Sequence, residues 1–483
     1  MNDDLHRILI KGGVTSPGEL KDSIAMLEAA GLSEVHFGSR QDLLFPLDAR
    51  DETTIESVSK YNTDVIGHRS YQNIVSSYVS ADIFEMTYWL KGSTYLYILE
   101  AFDYLPKLKI NITDPKQRLV PLFSGNLNFI ASEQEDYWYL HLNLPGWTDV
   151  DFYPVLIYSW DIVTVSKAIE KMYVQAEDVT SLFDLLSNSL ETNNKTVQKK
   201  LDAPYLTFPY YEGMNRMGLD QYWLGLYWRN NRYDLKFLKD FCGFCLDNSI
   251  GKICITPWKS FIVKGIKQKH RPELERFIGQ RGINVRHSQL EMNWHLPVDD
   301  QEAFELKKFL VRNFDENDIS TYGLTFGISN DVGKRSHFAS VIIEKNQSPS
   351  IIKDFKVRPT YNVLHFKNFD PNTLTYVSYA QDVDKLELPG LLMELSKKYF
   401  GQLGSSRESS QDTERPTINE LTVYQCSSCL TIYDEAMGDE KNGIAVGTSF
   451  EKLPDSYVCP VCESNKANFQ PSTIQVEQTY GQT

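Results

Sequence analysis

Four of the chain's seven cysteines can converge on one metal ion. They form two Cys-x-x-Cys pairs, Cys426-Ser-Ser-Cys429 and Cys459-Pro-Val-Cys462, with 29 residues between the pairs. Each pair makes a tight knuckle that points two sulfurs at one centre, and two knuckles make a tetrahedral S4 cage suited to zinc or iron. Four thiolates bring four negative charges, so only a tightly bound cation makes the arrangement stable. Backbone N–H groups in the knuckles can donate to the sulfurs and tune the metal. Such a cage has no open coordination position, so it does not bind substrate itself. The spacing leaves both metals open: iron in the cage transfers one electron, whereas zinc has no redox chemistry and marks a structural ribbon.

The residues around the knuckles narrow the choice. The stretch YQCSSCLTIYDEAMGDEKNGIAVGTSFEKLPDSYVCPVCESNKANFQP resembles rubredoxin over about 47 residues. The matching features are Tyr424, Tyr433-Asp434, Gly438-Asp439, Gly443-Ile444, Gly447-Thr448, Phe450, Leu453-Pro454, Val458-Cys459-Pro460, Lys466 and Phe469. The resemblance implies one iron atom held by Cys426, Cys429, Cys459 and Cys462. It also implies a small aromatic core of Tyr424, Tyr433, Phe450, Tyr457 and Phe469 beneath the metal. Three positions depart from the family. Glycine usually follows each second cysteine, where the knuckle needs positive φ; Leu430 and Glu463 stand there instead. Tyr457 replaces the usual tryptophan.

The elements that carry this site are set apart from the rest of the chain. Residues 401–420, GQLGSSRESSQDTERPTINE, are rich in Ser, Gly and charge and read as a flexible linker. Residues 421–470 form the cysteine-bearing domain, and 471–483 read as a disordered tail. Before the linker the pattern is α+β with a faint duplication, giving a first half over 1–205 and a second over 206–400. GELKDSIAMLEAAG places Leu20, Ile24 and Leu27 on one helical face and precedes the strand-like EVHFGSRQDLLFPL. DLKFLKDFCGFCLDNS and GKICITPWKSFIVKGI repeat that order, and SGNLNFIAS pairs with YGLTFGIS as the closing strand of each half.

Composition bounds the partners. Of 483 residues, 49 are basic and 64 acidic, a net charge of −15 that repels a phosphate backbone and excludes nucleic acid as a natural partner. Residues 421–483 alone hold eight acidic and three basic side chains, which steers that domain to a basic protein surface. No apolar run reaches the roughly 18 residues of a membrane span. The start, MNDDLHRILIKGG, lacks the pattern of a signal peptide. Sparse, clustered cysteines fit a reducing compartment. The expectation is a soluble cytoplasmic protein.

The first 400 residues are similar to the sirohaem nitrite/sulfite reductase family. The carrying segments are GGVTSPGEL…GLSEVHFGSRQDL, HRSYQNIVSS, YLPKLKINI…SGNLNFIAS, YWLGLYW…GKICITPWKSFIV and LEMNWHLP…YGLTFGIS. In that family basic side chains hold the tetrapyrrole carboxylates and the anionic substrate. Arg40, Lys107 and Lys109 match three of them, and Gln72 stands where a further arginine is usual. The family's four-iron cluster takes four cysteines, whereas only Cys242, Cys245 and Cys254 remain outside the rubredoxin-like stretch. Those three read as buried, inert thiols. The resemblance therefore implies a reductase scaffold without [4Fe-4S] cluster, sirohaem or catalysis. The whole chain reads as an electron carrier whose redox partner is a protein, such as a nitrite or sulfite reductase. The competing readings are a sirohaem anion reductase with a built-in rubredoxin donor and a zinc-ribbon interaction protein.

Overall fold

A computed structural model describes residues 5–46, 63–65, 71–116, 119–147, 150–203, 207–330, 338–346, 351–352, 355–356, 358–405, 419–429, 431–435, 437–439 and 442–476. The chain divides into two units, Met1–Gln402 and Leu403–Thr483. Among the described residues, no helix is long and apolar enough to cross a membrane.

The body is α+β and duplicated throughout. Helix Pro17–Ala29 starts at a capping box: Ser16 Oγ accepts from Glu19 N at 3.2 Å, and Glu19 Oε2 accepts from Ser16 N at 2.9 Å. Its buried face holds Leu20, Ile24 and Leu27, as the periodicity predicts. Helix Leu235–Asp247 is capped by Asp234, which accepts from Phe237 N at 2.7 Å, and buries Leu238, Phe241, Cys242 and Cys245. The two helices share one apolar core with strands from both halves. Each helix is followed by a hairpin: Glu34–Phe37 with Leu43–Pro46, and Ile253–Ile255 with Ser260–Lys267.

The two halves exchange edge strands across the boundary at residue 205. Strand Val14–Thr15 leaves the first half to pair with Ile253–Ile255, at the edge of the sheet that contains Gln221–Tyr227. Strand Tyr233–Asp234 makes the reciprocal move onto Glu34–Phe37. Each repeat thus lends a two-residue edge strand to the other, which no pattern confined to one half can reveal. The hairpin tips match residue for residue. Gly38 N donates to Asp42 O at 2.9 Å with Gln41 at φ 59°, and Thr256 N donates to Ser260 O at 2.9 Å with Lys259 at φ 58°.

Two further sheets repeat the same strand order. Val75–Ser76, Ile110–Thr113 and Leu127–Ala131 run parallel, then Tyr137–Leu142 and Val155–Tyr158 alternate antiparallel. Trp294–His295, Phe326–Ser329 and Val341–Lys345 run parallel, then Tyr361–Phe366 and Tyr376–Val383 alternate. This order corrects one sequence pairing. SGNLNFIAS supplies the third strand of its sheet and YGLTFGIS the second of the other, so the equivalent of Leu127–Ala131 is Val341–Lys345.

The expected linker and tail are shorter than their composition suggests. Helix Leu388–Ser405 runs into one end of the linker, and strand Asn419–Cys426 begins before the other. Residues 406–418 lie outside the described residues. Within the expected tail, Phe469–Val476 is a strand paired antiparallel along the whole of Asn419–Cys426, and 477–483 lie outside the described residues.

Strand exchange makes each half an incomplete core. Fragments 1–205 and 206–402, produced separately, should lack a cooperative thermal transition in circular dichroism, whereas 1–402 should melt cooperatively. A sharp transition in either fragment alone would show that the exchanged strands are dispensable.

Candidate metal centre

The second unit is a three-stranded sheet with two knuckles on it. Asn419–Cys426 is the central strand, between Ile432–Tyr433 and Phe469–Val476. Cys426 ends that strand and Cys429 lies three residues on, in the turn. The turn closes where Cys426 N donates to Thr431 O at 2.8 Å. The second knuckle repeats the closure: Cys459 N donates to Ser464 O at 2.8 Å, and Glu463 N to Cys459 O at 2.9 Å.

The four sulfurs lie within 4.8 Å of one another. Sγ of Cys426 is 3.7 Å from that of Cys462, and Sγ of Cys429 is 3.5 Å from that of Cys459. A tetrahedron with metal–sulfur bonds of about 2.3 Å has sulfur–sulfur edges of about 3.8 Å. The sulfurs therefore fit one ion of zinc or iron size. Among the described residues this is the only grouping of three or more metal-ligating side chains. Cys426 and Cys459 are buried, Cys429 is half-buried and Cys462 is exposed. The centre thus has one face in the core and one at the surface.

Two hydroxyls complete the sulfur environment, and the sequence reading did not single them out. Ser464 Oγ lies 3.1 Å from Cys426 Sγ and 3.0 Å from Cys462 Sγ, and Thr431 Oγ1 lies 3.0 Å from Cys429 Sγ. The Ser464 hydrogen bond, helped by the backbone N–H groups of Ser428 and Cys429, pulls the Cys426 thiol down to about 6. The signal was available: both motifs read Cys-x-x-Cys-x-Ser/Thr, with the hydroxyl residue two places after the second cysteine.

All five expected aromatics meet beneath the sulfurs. Tyr424 stacks on Phe450 with ring centres 4.0 Å apart, and Phe450 touches Tyr433 and Phe469 at 5.7 and 5.3 Å. Tyr457 packs on Phe469 at 5.9 Å. Each tyrosine keeps its hydroxyl paired: Tyr433 donates to Thr448 O at 2.9 Å, Tyr457 to Asp439 Oδ2 at 3.0 Å, and Tyr424 to Glu451 Oε1 at 2.8 Å. Tyr457 thus occupies the tryptophan position as a buried ring with a polar anchor. Gly438 must be glycine, because it sits at φ 67° and a Cβ there would lie 2.8 Å from the Ala445 backbone. Glu463 sits at φ 58°, the left-handed conformation expected of the usual glycine. Leu430 lies outside the described residues.

The residues named from the reductase resemblance all lie in the body. Arg40 turns inward: Nη1 donates to Asn111 Oδ1 at 2.7 Å, and Nη2 to the carbonyls of Asn73 at 2.6 Å and Ile110 at 3.0 Å. Burial pushes its guanidinium down to about 9, against the pull of Asp42. Lys107 and Lys109 precede strand Ile110–Thr113 and are not alternate residues within it, so strand geometry does not align them. Lys107 is exposed, and its backbone N–H and that of Leu108 both donate to Glu170 Oε1 at 2.8 Å. Gln72, where the family arginine is missing, is buried, and its N–H donates to Pro106 O at 2.6 Å. Cys242, Cys245 and Cys254 are all buried. Burial pushes the Cys242 thiol up to about 12 and raises the other two, which keeps all three protonated and unreactive. With both Arg40 Nη atoms spent on the protein and three cysteines instead of four, this donor set does not fit a coupled sirohaem and four-iron cluster.

Hydroxyl-supported double knuckles over an aromatic core define a four-thiolate metal-binding protein. Comparison with known proteins makes the class specific. The rubredoxin family model matches residues 423–469. Rubredoxin-2 of Chlorobaculum tepidum is 48% identical over 49 residues, 10% of this chain and 94% of that protein. Rubredoxin-2 of Alcanivorax borkumensis is 50% identical over 64 residues, 13% of this chain and 35% of that one. The high molecular weight rubredoxin of Moorella thermoacetica is 45% identical over 47 residues, 10% of this chain and 20% of that one. The chain thus spans a fifth and about a third of the two longer relatives, and nearly all of the short one. Through its C-terminal unit, the chain belongs to the rubredoxin family. The body has the nitrite/sulfite reductase-like fold: it superposes on Mycobacterium tuberculosis NirA with a TM-score of 0.62 at 12% identity, over 85% of this chain and 82% of that one.

Two substitutions test the packing. Glu463→Gly relieves a left-handed conformation and should stabilise the metal-loaded unit by about 1 kcal/mol in thermal melts. Phe450→Ala removes the ring that joins Tyr424, Tyr433 and Phe469 and should cost about 3–5 kcal/mol. Unchanged melting for either would contradict the packing described.

Proposed function

We propose that this chain is a rubredoxin-type one-electron carrier, with one iron atom held by Cys426, Cys429, Cys459 and Cys462. The observation that carries the reading is the meeting of four sulfurs, spaced for one ion, on a rubredoxin unit. Iron in such a cage changes charge by one electron with little movement of its ligands. The chain's own residues do the rest. The hydroxyls of Thr431 and Ser464 and the backbone N–H groups of Ser428 and Cys429 offer positive ends to the sulfurs, which favours the more negative, reduced state. The aromatic core excludes water from one side. On the other, exposed Cys462 and Val461, 68% exposed, give a partner close access to the centre. The acidic excess of residues 421–483 favours a basic docking face.

The body serves, in this reading, as an addressing platform. It keeps a reductase fold while its cysteines are too few for a four-cysteine cluster and its Arg40 is turned inward. That combination suits a protein that delivers electrons to a reductase of the same fold, such as a nitrite or sulfite reductase.

Full-length protein produced with ample iron in a sirohaem-competent host should carry one iron per chain, with an iron–thiolate colour and no red sirohaem band. Cys459→Ser should abolish the colour. Protein that takes up only zinc would contradict the reading, and a sirohaem band would favour the built-in-donor alternative. Ser464→Ala should lower the reduction potential by on the order of tens of millivolts, because the Cys426 and Cys462 sulfurs lose the one hydroxyl proton they share.

A further inference from the structure

The two hairpin tips of the body occupy equivalent places, but their side chains do different things. Gln41 is knitted into the fold: Nε2 donates to Ser76 O at 3.1 Å and Ile255 O at 2.9 Å, and Oε1 accepts from Ser76 N at 2.8 Å. Lys259 holds the matching position and the matching positive φ, and its carbonyl accepts from Tyr233 OH at 3.0 Å. In the second half the cross-half bonding is done by Asn231, whose amide exchanges hydrogen bonds with the backbone of Phe37 at 2.9 Å each way. Lys259 is thereby released. It is only 7% exposed, its amine makes no hydrogen bond or ion pair among the described residues, and it lines a cleft with Trp258, Trp294 and Phe304.

The other charges of that cleft are matched. Arg229 pairs with Glu291 at 3.0 Å and Arg232 with Asp299 at 2.7 Å. Lys307 reaches Glu291 at 3.3 Å and Tyr227 OH at 2.6 Å. Asp300 caps helix Gln301–Glu316 through Ala303 N at 2.9 Å and accepts from Asn330. Among the described residues of the cleft, Lys259 is left as the cation with no direct counter-ion, beside buried tryptophans and half-buried Phe304. An ammonium buried without a counter-ion is costly, and an anion entering the cleft removes that cost.

We propose that this cleft, about 50 Å³ in volume, is a binding site for the carboxylate end of a small organic acid, its anionic group on Lys259 and its apolar body outside the cleft against half-buried Phe304. The site belongs to the body and does not depend on which metal the four-cysteine centre holds. Burial, reinforced by Lys307 and opposed by Asp300, pushes the empty-site Lys259 down to about 7. A bound carboxylate favours the ammonium, so above pH 7 binding takes up a proton and affinity falls as pH rises.

The test titrates benzoate into the full-length, metal-loaded protein, read by tryptophan fluorescence and by calorimetry in buffers of different ionisation enthalpy. Saturable binding at one site is expected, weakening by up to about tenfold per pH unit above pH 7 with proton uptake. Lys259→Gln, which installs the side chain found at the equivalent tip, should weaken binding at least tenfold, while exposed Lys171→Gln should bind as the parent does. Absence of saturable binding below pH 7, equal binding by Lys259→Gln, or displacement of benzoate by an equal concentration of sulfate would overturn the proposal. If Lys259→Gln fails to melt cooperatively, the parent protein decides: proton uptake approaching one at about pH 9 supports the proposal, and no uptake overturns it.

Discussion

Repulsion between four cysteine sulfurs is the constraint around which the C-terminal unit is organised. Two thiolates 3.5 Å apart repel by roughly 5 kcal/mol at an effective dielectric constant of 20. Four of them in one cage require a cation, and every local feature supports that requirement. The knuckle turns aim N–H groups at sulfur, Thr431 and Ser464 add hydroxyls, and Glu463 accepts a left-handed backbone to keep the second turn closed. The apolar core is small, built on Tyr433, Phe450, Leu453, Tyr457 and Phe469 around two buried cysteines. A unit this small cannot bury enough surface to be robust alone, so the metal is part of its fold as well as its chemistry.

The body follows a different constraint, the exchange of edge strands between two repeats. Val14–Thr15 and Tyr233–Asp234 close each other's sheets, and helices Pro17–Ala29 and Leu235–Asp247 share one core. Duplicated tips are then free to diverge while the scaffold persists. Gln41 remains a structural amide; Lys259 opens into a cleft. Arg40, one residue from Gln41, is drawn inward by Asn111 and two carbonyls. The nitrite/sulfite reductase-like fold is thus kept while the two tips carry different side chains.

The metal centre was largely legible because its ligands and aromatic core are encoded in short, local spacing. The same holds for the α+β duplication, whose helical faces follow from periodicity. Features that depend on distant partners were not legible. A two-residue exchanged strand has no pattern of its own. Arg40 turns inward because of Asn111, 71 residues away. Residues 471–476 read as tail because the strand they extend is held by a distant partner, Asn419–Cys426, and Pro471 is tolerated there since the strand lies at the sheet edge. Thr431 and Ser464 could have been found, since the two motifs share their spacing from the second cysteine.

A spectroelectrochemical titration of the purified full-length chain, with iron and zinc counted on the same sample, tests the central claim most directly. The account predicts a single reversible transition with one-electron Nernst slope and an amplitude matching one iron per chain. A colourless protein with stoichiometric zinc and no transition would contradict it.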